Sequence, residues 1–219
     1  MELTELKQLW QSSNDKLEKS LVLHQKNTED ITKIKLQNFI YSMRPIKIFT
    51  LVIGIFWVLT LGTIVVNLAR YALASVSLFF LFSAGLQILL TAISIWVYTY
   101  QLVLIQQVDL SKPIIIVQES LTKLKTSTLW VTRILFLQFP LWTTFYWNES
   151  MFENGNALLW VLQGFITLLF AFVSIWFFVN IKYENKDKKW FQWIFNGKEW
   201  QPIISSMELL EEVEKFKRE

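Results

Sequence analysis

Residues 48–66 read IFTLVIGIFWVLTLGTIVV, an apolar stretch in which no side chain carries a charge. A helix needs about 20 apolar residues to cross a hydrocarbon core of about 30 Å. Only helices and closed barrels satisfy every backbone polar group in lipid, and a run without period-two alternation favours a helix. The stretch therefore predicts a transmembrane helix.

Three further stretches have the same character. They run from about Leu73 to Tyr98, from Leu129 to Trp147 and from about Leu158 to Ile181. The stretch from Leu129 is interrupted by Arg133, Gln138 and Pro140, and the proline predicts a kink. The sequence thus predicts an all-α membrane protein with four transmembrane helices and helical cytoplasmic extensions.

Charged residues are kept away from these stretches, although they make up 18% of the chain. We expect a cytoplasmic amphipathic helical segment over residues 1–45 and a four-helix transmembrane domain over 46–182. Within that domain we expect a cytoplasmic helical hairpin at 101–128. An aromatic and basic cytoplasmic tail should follow over 183–219.

Lysine and arginine predict the orientation, because cytoplasmic loops of membrane proteins are enriched in them. Basic residues cluster before the first stretch, between the second and third, and after the fourth, whereas the other two connections carry only Arg70. This distribution predicts that both termini and the middle loop are cytoplasmic. Tryptophans at the boundaries predict interfacial belts, with Trp142, Trp147 and Trp160 on the outer side.

The N-terminal segment has a narrow apolar stripe at helical spacing. Its leading members are Leu3, Leu6, Trp10, Leu17 and Leu21. The run Ser12–Ser13–Asn14 predicts a break in the helix. A narrow stripe cannot form a core alone, so it either packs on the other cytoplasmic helices or binds a partner protein. The five apolar residues are hypothesised partner-binding residues.

The middle loop contains helix-starting signals. Asp109 and Ser111 are good N-cap residues, and Pro113 suits a first helical turn. The apolar spacing that follows predicts one continuous helix from about Pro113 to Trp147. It would pair with an inward extension of the preceding helix to form the cytoplasmic hairpin.

The tail allows two interpretations of residues 186–202. Basic residues with Trp190 and Trp193 suit an interfacial segment lying among the lipid headgroups. Asn196–Gly197 between aromatic residues instead suits a short β-hairpin. Beyond it, Ser205–Ser206–Met207–Glu208 resembles a capping box that would open a last amphipathic helix.

Two amides near the predicted midplane and one charge stand out inside the apolar stretches. Gln87 and Gln138 lie near the predicted midplane, so they should face the bundle interior and hydrogen-bond to each other or to neighbouring helices. Arg133 lies about one turn past Leu129, which favours a side chain that reaches back to the inner headgroups over a pore or relay role.

Signs of catalysis are missing from the sequence. His24 is the only histidine, and there are no cysteines. A metal site needs several converging ligands, which the sequence does not offer. The formal charge of +3 is too small to indicate direct nucleic-acid binding. We expect no cofactor, no metal and no enzymatic activity.

Three segments together resemble a family of small polytopic membrane proteins from Bacteroidota, some of which look like partners of extracytoplasmic-function sigma factors. They are ELKQLWQSSNDKLEKSLVL, IQQVDLSKPIIIVQESLTKLK and WFQWIFNGKEW, with key patterns around Trp10, Asp109, Pro113 and Gln118. The resemblance covers most of the chain. It implies a bacterial inner-membrane protein with an anti-sigma role, in which Leu3–Leu36 would bind the sigma factor. The zinc motif of one large anti-sigma class is missing.

These observations favour a regulatory or scaffold protein that holds a soluble partner, such as a sigma factor, at the membrane. The alternative is a transporter or channel component that acts as a homo-oligomer around Gln87, Arg133 and Gln138. A lipid-binding or lipid-modifying enzyme ranks last, since only the tail hints at lipid contact. In each case the lipid bilayer is the expected surrounding.

Overall fold

The structure is a computed structural model that describes residues 3–73, 75–108, 112, 114–149, 151, 156–195, 197 and 200–218. Within these ranges the chain is helical and contains no β-strand. The helices are α1 (Leu3–Ser42), α2 (Arg44–Tyr71), α3 (Leu78–Gln107), α4 (Ile114–Phe136), α5 (Phe139–Thr144), α6 (Ala157–Asn180), α7 (Lys189–Phe195) and α8 (Gln201–Arg218). A 3-10 turn covers Tyr183–Asn185.

Among the described residues, three helical runs are long and apolar enough to cross a membrane. They are Trp10–Tyr71, which joins α1 to α2 through a turn at Met43, Leu78–Gln107 (α3) and Ala157–Asn180 (α6). In the apolar parts of α2 and α6 almost every residue is exposed or half-buried, whereas α3 is the most buried of the three. Exposed apolar surface of this extent is typical of contact with lipid. By length and composition, these three helices could cross a membrane, which indicates a membrane protein.

The apolar stretch from Leu129 to Trp147 does not form the single continuous helix predicted from Pro113. α4 ends at Phe136 and α5 begins at Phe139, with a turn between them. Pro140 explains the break, because its nitrogen has no hydrogen to donate to the carbonyl oxygen of Phe136. The hydroxyl of Ser174 on α6 donates to that oxygen instead, over 2.9 Å. The distortion predicted at Pro140 is therefore confirmed.

α3 runs antiparallel to α4 and α5 in a register marked by polar contacts. The hydroxyls of Ser83 and Thr144 are 2.7 Å apart, and the amide nitrogen of Gln138 donates to the hydroxyl of Thr91 over 3.0 Å. Beyond them, the hydroxyl of Ser77 donates to the carbonyl oxygen of Trp147. Along these contacts residue numbers rise in α3 as they fall in the segment from Gln138 to Trp147, which shows that the two elements are antiparallel.

α6 runs antiparallel to α4 and α5 in turn. At one end the amide of Gln163 donates to the carbonyl oxygen of Thr143, and at the other Arg133 donates to that of Ile181. Phe136 and Phe177 stack between these points, with ring centroids 4.4 Å apart. α2 runs antiparallel to α3, with Lys47 beside Gln101 and Gly54 beside Ile95, so α2, α3, α4–α5 and α6 are four successive antiparallel legs.

The legs meet a buried cluster at one end, which we call the head cluster. It joins the last turns of α1, the end of α3, the start of α4 and the first half of α8. Its members are Leu36, Ile40, Met43, Ile105, Val117, Leu121, Leu124 and Ile203. The first and last helices of the chain thus pack together. We call the opposite end of the legs, where Ser77 and Trp147 meet, the far end.

An aromatic cluster lies beside the head cluster where α6 ends. Leu129, Ile181, Phe191, Phe195 and Trp200 are its buried members. α7 supplies two of them, because its phenylalanines at i and i+4 lie on one face. The β-hairpin alternative for the tail is not confirmed: residues 189–195 and 201–218 are helical on both sides of the predicted turn, and Asn196 lies outside the described residues.

Two predicted helix boundaries are wrong. α1 continues through Ser12–Ser13–Asn14, because serine and asparagine each weaken a helix by only a few tenths of a kcal/mol, about 0.5 relative to alanine. α8 begins at Gln201 rather than at the predicted capping box, with Pro202 in its first turn. The predicted caps at Asp109 and Ser111, and Pro113, lie outside the described residues.

Candidate functional site

The segment of α1 over residues 10–31, which we call the exposed segment, carries several exposed large apolar side chains outside the four legs. Trp10, Leu17 and Leu21 are 69%, 62% and 61% exposed. They lie on one helix face, since their spacing is close to whole turns. For Leu3 and Leu6, the other hypothesised partner-binding residues, the side chains lie outside the described part of the chain. The structure therefore leaves three predicted contact residues uncovered.

The same helix changes character after residue 31. Thr32, Leu36 and Ile40 are buried, and the last two belong to the head cluster. α1 has 40 residues, a length of about 60 Å, so the part before residue 32 extends well beyond the end that packs in the head cluster. The first alternative, packing on the other helices, therefore holds for the end of α1, where Leu36 and Ile40 join the head cluster. Partner binding by the exposed part stays a prediction.

Charged side chains of both signs lie mainly on the side of the exposed segment that faces away from Trp10, Leu17 and Leu21. Asp15, Glu18, Lys19 and Lys26 lie along the exposed segment, and among them is a shallow groove with Val22 and Leu23. An apolar stripe on one side of a helix, with mixed charges on the other, is the pattern of an amphipathic helix that binds in a hydrophobic groove of a protein. A strongly basic face, which would favour lipid or nucleic acid, is not what this segment presents.

Lys47 is a buried residue that the sequence analysis missed. It is fully buried at the start of α2, and its amine donates to the side-chain oxygen of Gln101 over 2.6 Å. The amine also lies 5.2 Å from the ring centroid of Tyr98, within the range of a cation–π interaction. These contacts join α2 to α3 directly beside the head cluster.

One sequence signal could have identified Lys47. Gly54 lies seven residues later on the same face of α2, and a side chain there would come within 3.2 Å of Ile95 on α3. A small residue at such a spacing marks the face where two membrane helices approach closely. Lys47 was instead counted only among the basic residues that flank the first apolar stretch.

The two amides predicted near the membrane midplane, Gln87 and Gln138, differ in their hydrogen bonds. Gln138 bonds to Thr91 on α3, which confirms the expected contact with a neighbouring helix. Gln87 lies on α3, one turn before Thr91, and is fully buried. Neither its amide nitrogen nor its amide oxygen has a hydrogen-bond partner. The predicted hydrogen bond of Gln87, whether to Gln138 or to a neighbouring helix, is therefore wrong. A buried amide without a partner is destabilising.

The side chain of Arg133, on α4, binds the C-terminus of the neighbouring helix α6, which is a structural contact rather than part of a transport path. Its Nε donates to the carbonyl oxygen of Ile181, the C-terminal cap of α6, over 2.7 Å. Its guanidinium lies 5.3 Å from the ring centroid of Trp130. A cation at a helix C-terminus also interacts favourably with the helix dipole. This arrangement favours a structural role for Arg133 over a relay role.

The predicted interfacial tryptophans fall at two levels. Trp142, Trp147 and Trp160 lie towards the far end, where Ser77 contacts the carbonyl oxygen of Trp147. Trp190 packs on Trp176 at the other end, with ring centroids 4.9 Å apart. Trp193, on the same helix as Trp190, is exposed. Tryptophans grouped at opposite ends of the legs are the arrangement expected of interfacial anchors.

In comparisons with known proteins, no family model, no curated protein and no solved structure matches the chain.

Proposed function

We propose that this chain is a non-enzymatic regulatory or scaffold protein that holds a soluble protein at the membrane through the exposed segment of α1. The observation that carries the proposal is the contrast within one helix. Leu36 is buried in the head cluster, whereas Trp10, Leu17 and Leu21 are exposed on the same helix. Amphipathic helices with spaced apolar anchors commonly bind in a hydrophobic groove of a partner.

The proposal includes four membrane crossings. α3 ends at the head cluster and α6 begins at the far end, so the chain between them has to return along the bundle. α4 and α5 make that return in contact with both neighbours. The excess of lysine and arginine at the head end then favours a cytoplasmic location for both termini, the head cluster and α1.

The lack of cysteine in the chain permits a direct test of this topology. Single cysteines replace Tyr71 and Glu149 near the far end, and Ser12 and Ser120 near the head end. A membrane-impermeant maleimide should label the first two in intact bacterial cells and the second two only after lysis. Labelling of Tyr71→Cys and Glu149→Cys from opposite sides would contradict four crossings.

A sigma factor is the partner that the resemblance to Bacteroidota membrane proteins implies. The full chain, purified from its native membrane in mild detergent, should carry a soluble protein in stoichiometric amount. The triple variant Trp10→Ser, Leu17→Ser, Leu21→Ser should lose that protein and release it into the soluble fraction of the cell. These side chains are exposed, so folding should be unchanged.

Lys19→Ser with Lys26→Ser is the matched control, because both lysines lie on the opposite side of the same exposed segment. The control should keep the partner. Equal retention of the soluble protein by the triple variant and by the wild type would refute binding through this face.

A transporter or channel component acting as an oligomer is the second candidate, favoured by the unpartnered amide of Gln87 inside the bundle. Polar groups buried in a membrane often mark a transport path. This candidate predicts solute flux in proteoliposomes that is lost in Gln87→Leu. Flux that is unchanged in Gln87→Leu would remove Gln87 from any path.

A further inference from the structure

A groove separates α3 from α4 on the outer surface of the legs, with a volume of about 430 Å³. Its walls are mainly apolar and aromatic. The residues that define it are Trp96 and Tyr100 on α3, and Lys123, Thr126, Ser127 and Trp130 on α4. The side chains of Trp96 and Trp130 are exposed, so the groove opens to the surroundings rather than into the core.

The groove lies where α3 passes from its apolar part into the head cluster. Ile105, just over two turns beyond Trp96, is fully buried in that cluster. α3 has 30 residues, or about 45 Å, while a hydrocarbon core spans only about 30 Å. Trp96 and Tyr100 therefore lie near the level of the lipid headgroups, where such side chains are enriched.

The groove changes from apolar to cationic along α4. Lys123 and Trp130 lie on the same face, seven residues or about 10 Å apart along the helix axis. The hydroxyls of Thr126 and Ser127 lie between them. An apolar slot with a cation and hydroxyls at one end matches a phospholipid, which has a phosphate above its acyl chains.

We propose that this groove binds one anionic phospholipid from the leaflet at the head end. Its acyl chains would lie against Trp96 and Trp130, and its phosphate would contact Lys123 and the adjacent hydroxyl of Thr126, since the hydroxyl of Ser127 already donates to the carbonyl oxygen of Leu124. Basic pockets between membrane helices are known to bind lipid headgroups in this way. The inference requires that α3 crosses the membrane, and it is independent of the proposed partner of α1.

Glu119 is the local competitor of the phosphate. Its carboxylate is 2.7 Å from the amine of Lys123, and the two side chains are 63% and 52% exposed. This hydrogen bond raises the pKa of Lys123 and lowers the pKa of Glu119. Exposed ion pairs contribute little to stability. Lys123 therefore remains charged at neutral pH and is available for exchange from Glu119 to a lipid phosphate.

Native mass spectrometry of the full chain in detergent tests the proposal with phosphatidylglycerol and phosphatidylcholine as probes. The wild type should retain one phosphatidylglycerol in preference to phosphatidylcholine. Lys123→Gln should weaken that retention about fivefold, as expected for one lysine near an anionic surface. Glu119→Gln should strengthen it, because the amine loses its competitor.

Lys16→Gln is the control for charge alone, since Lys16 lies on the exposed segment of α1, far from the groove. It should leave lipid retention unchanged. Circular dichroism should confirm that all variants remain folded, as expected for exposed side chains. Equal retention of the two lipids by the wild type, or phosphatidylglycerol retention that is unchanged in Lys123→Gln, would overturn the proposal.

Discussion

Gln87 and Gln138 lie at neighbouring levels of the bundle, but one side-chain amide destabilises the fold and the other stabilises it. The amide of Gln138 is satisfied by Thr91, whereas both polar atoms of Gln87 are buried without partners. A satisfied amide between membrane helices stabilises modestly, by about 0.6 kcal/mol on average. An unsatisfied one costs about 1–3 kcal/mol.

Methionine substitutions should therefore change stability in opposite directions. Gln87→Met should raise the free energy of unfolding by about 1–3 kcal/mol, because it removes an unpartnered amide at nearly constant volume. Gln138→Met should lower it by about 0.6 kcal/mol. The midpoint of unfolding by SDS in mixed micelles measures both. A loss of stability in Gln87→Met would mean that its amide is bonded in the membrane.

The break between α4 and α5 is the element-scale feature that sequence reasoning captured only in part. Pro140 predicted a distortion, but the length of the interruption depends on the groups around it. The freed carbonyl of Phe136 accepts from Ser174, which lies 38 residues away in the sequence. A contact between distant elements cannot be found from local spacing, so the predicted helix was drawn too long.

A double-mutant cycle tests that explanation. Ser174→Ala should lower the free energy of unfolding by about 1 kcal/mol, because the carbonyl of Phe136 loses its donor. In a Pro140→Ala background the same change should cost less, since the alanine supplies the missing backbone N–H. Detergent unfolding of the four proteins gives the coupling energy. An equal cost in both backgrounds would mean that the proline and the serine act independently.

At the scale of the whole molecule, long apolar runs predicted the helical class and the positions of α2, α3 and α6, and helical spacing predicted the stripe on α1. The stripe has Trp10, Leu17 and Leu21 on the exposed side. Helical spacing could not divide that stripe between core and surface, because the boundary near Thr32 is set by where α8 packs. Lys47 was missed for the same reason: its burial depends on Gln101 and Tyr98, which lie on another helix.

The central claim is that the exposed segment of α1 binds a soluble protein, and site-specific photo-crosslinking in living cells tests it most directly. A photoreactive residue replaces either Leu21, which is exposed, or Leu36, which is buried in the head cluster. The account predicts that position 21 traps one soluble protein, which is released from the membrane in the triple variant. Position 36 should crosslink only within the chain. Crosslinks from position 21 that reach only lipid or a second copy of the chain would contradict it.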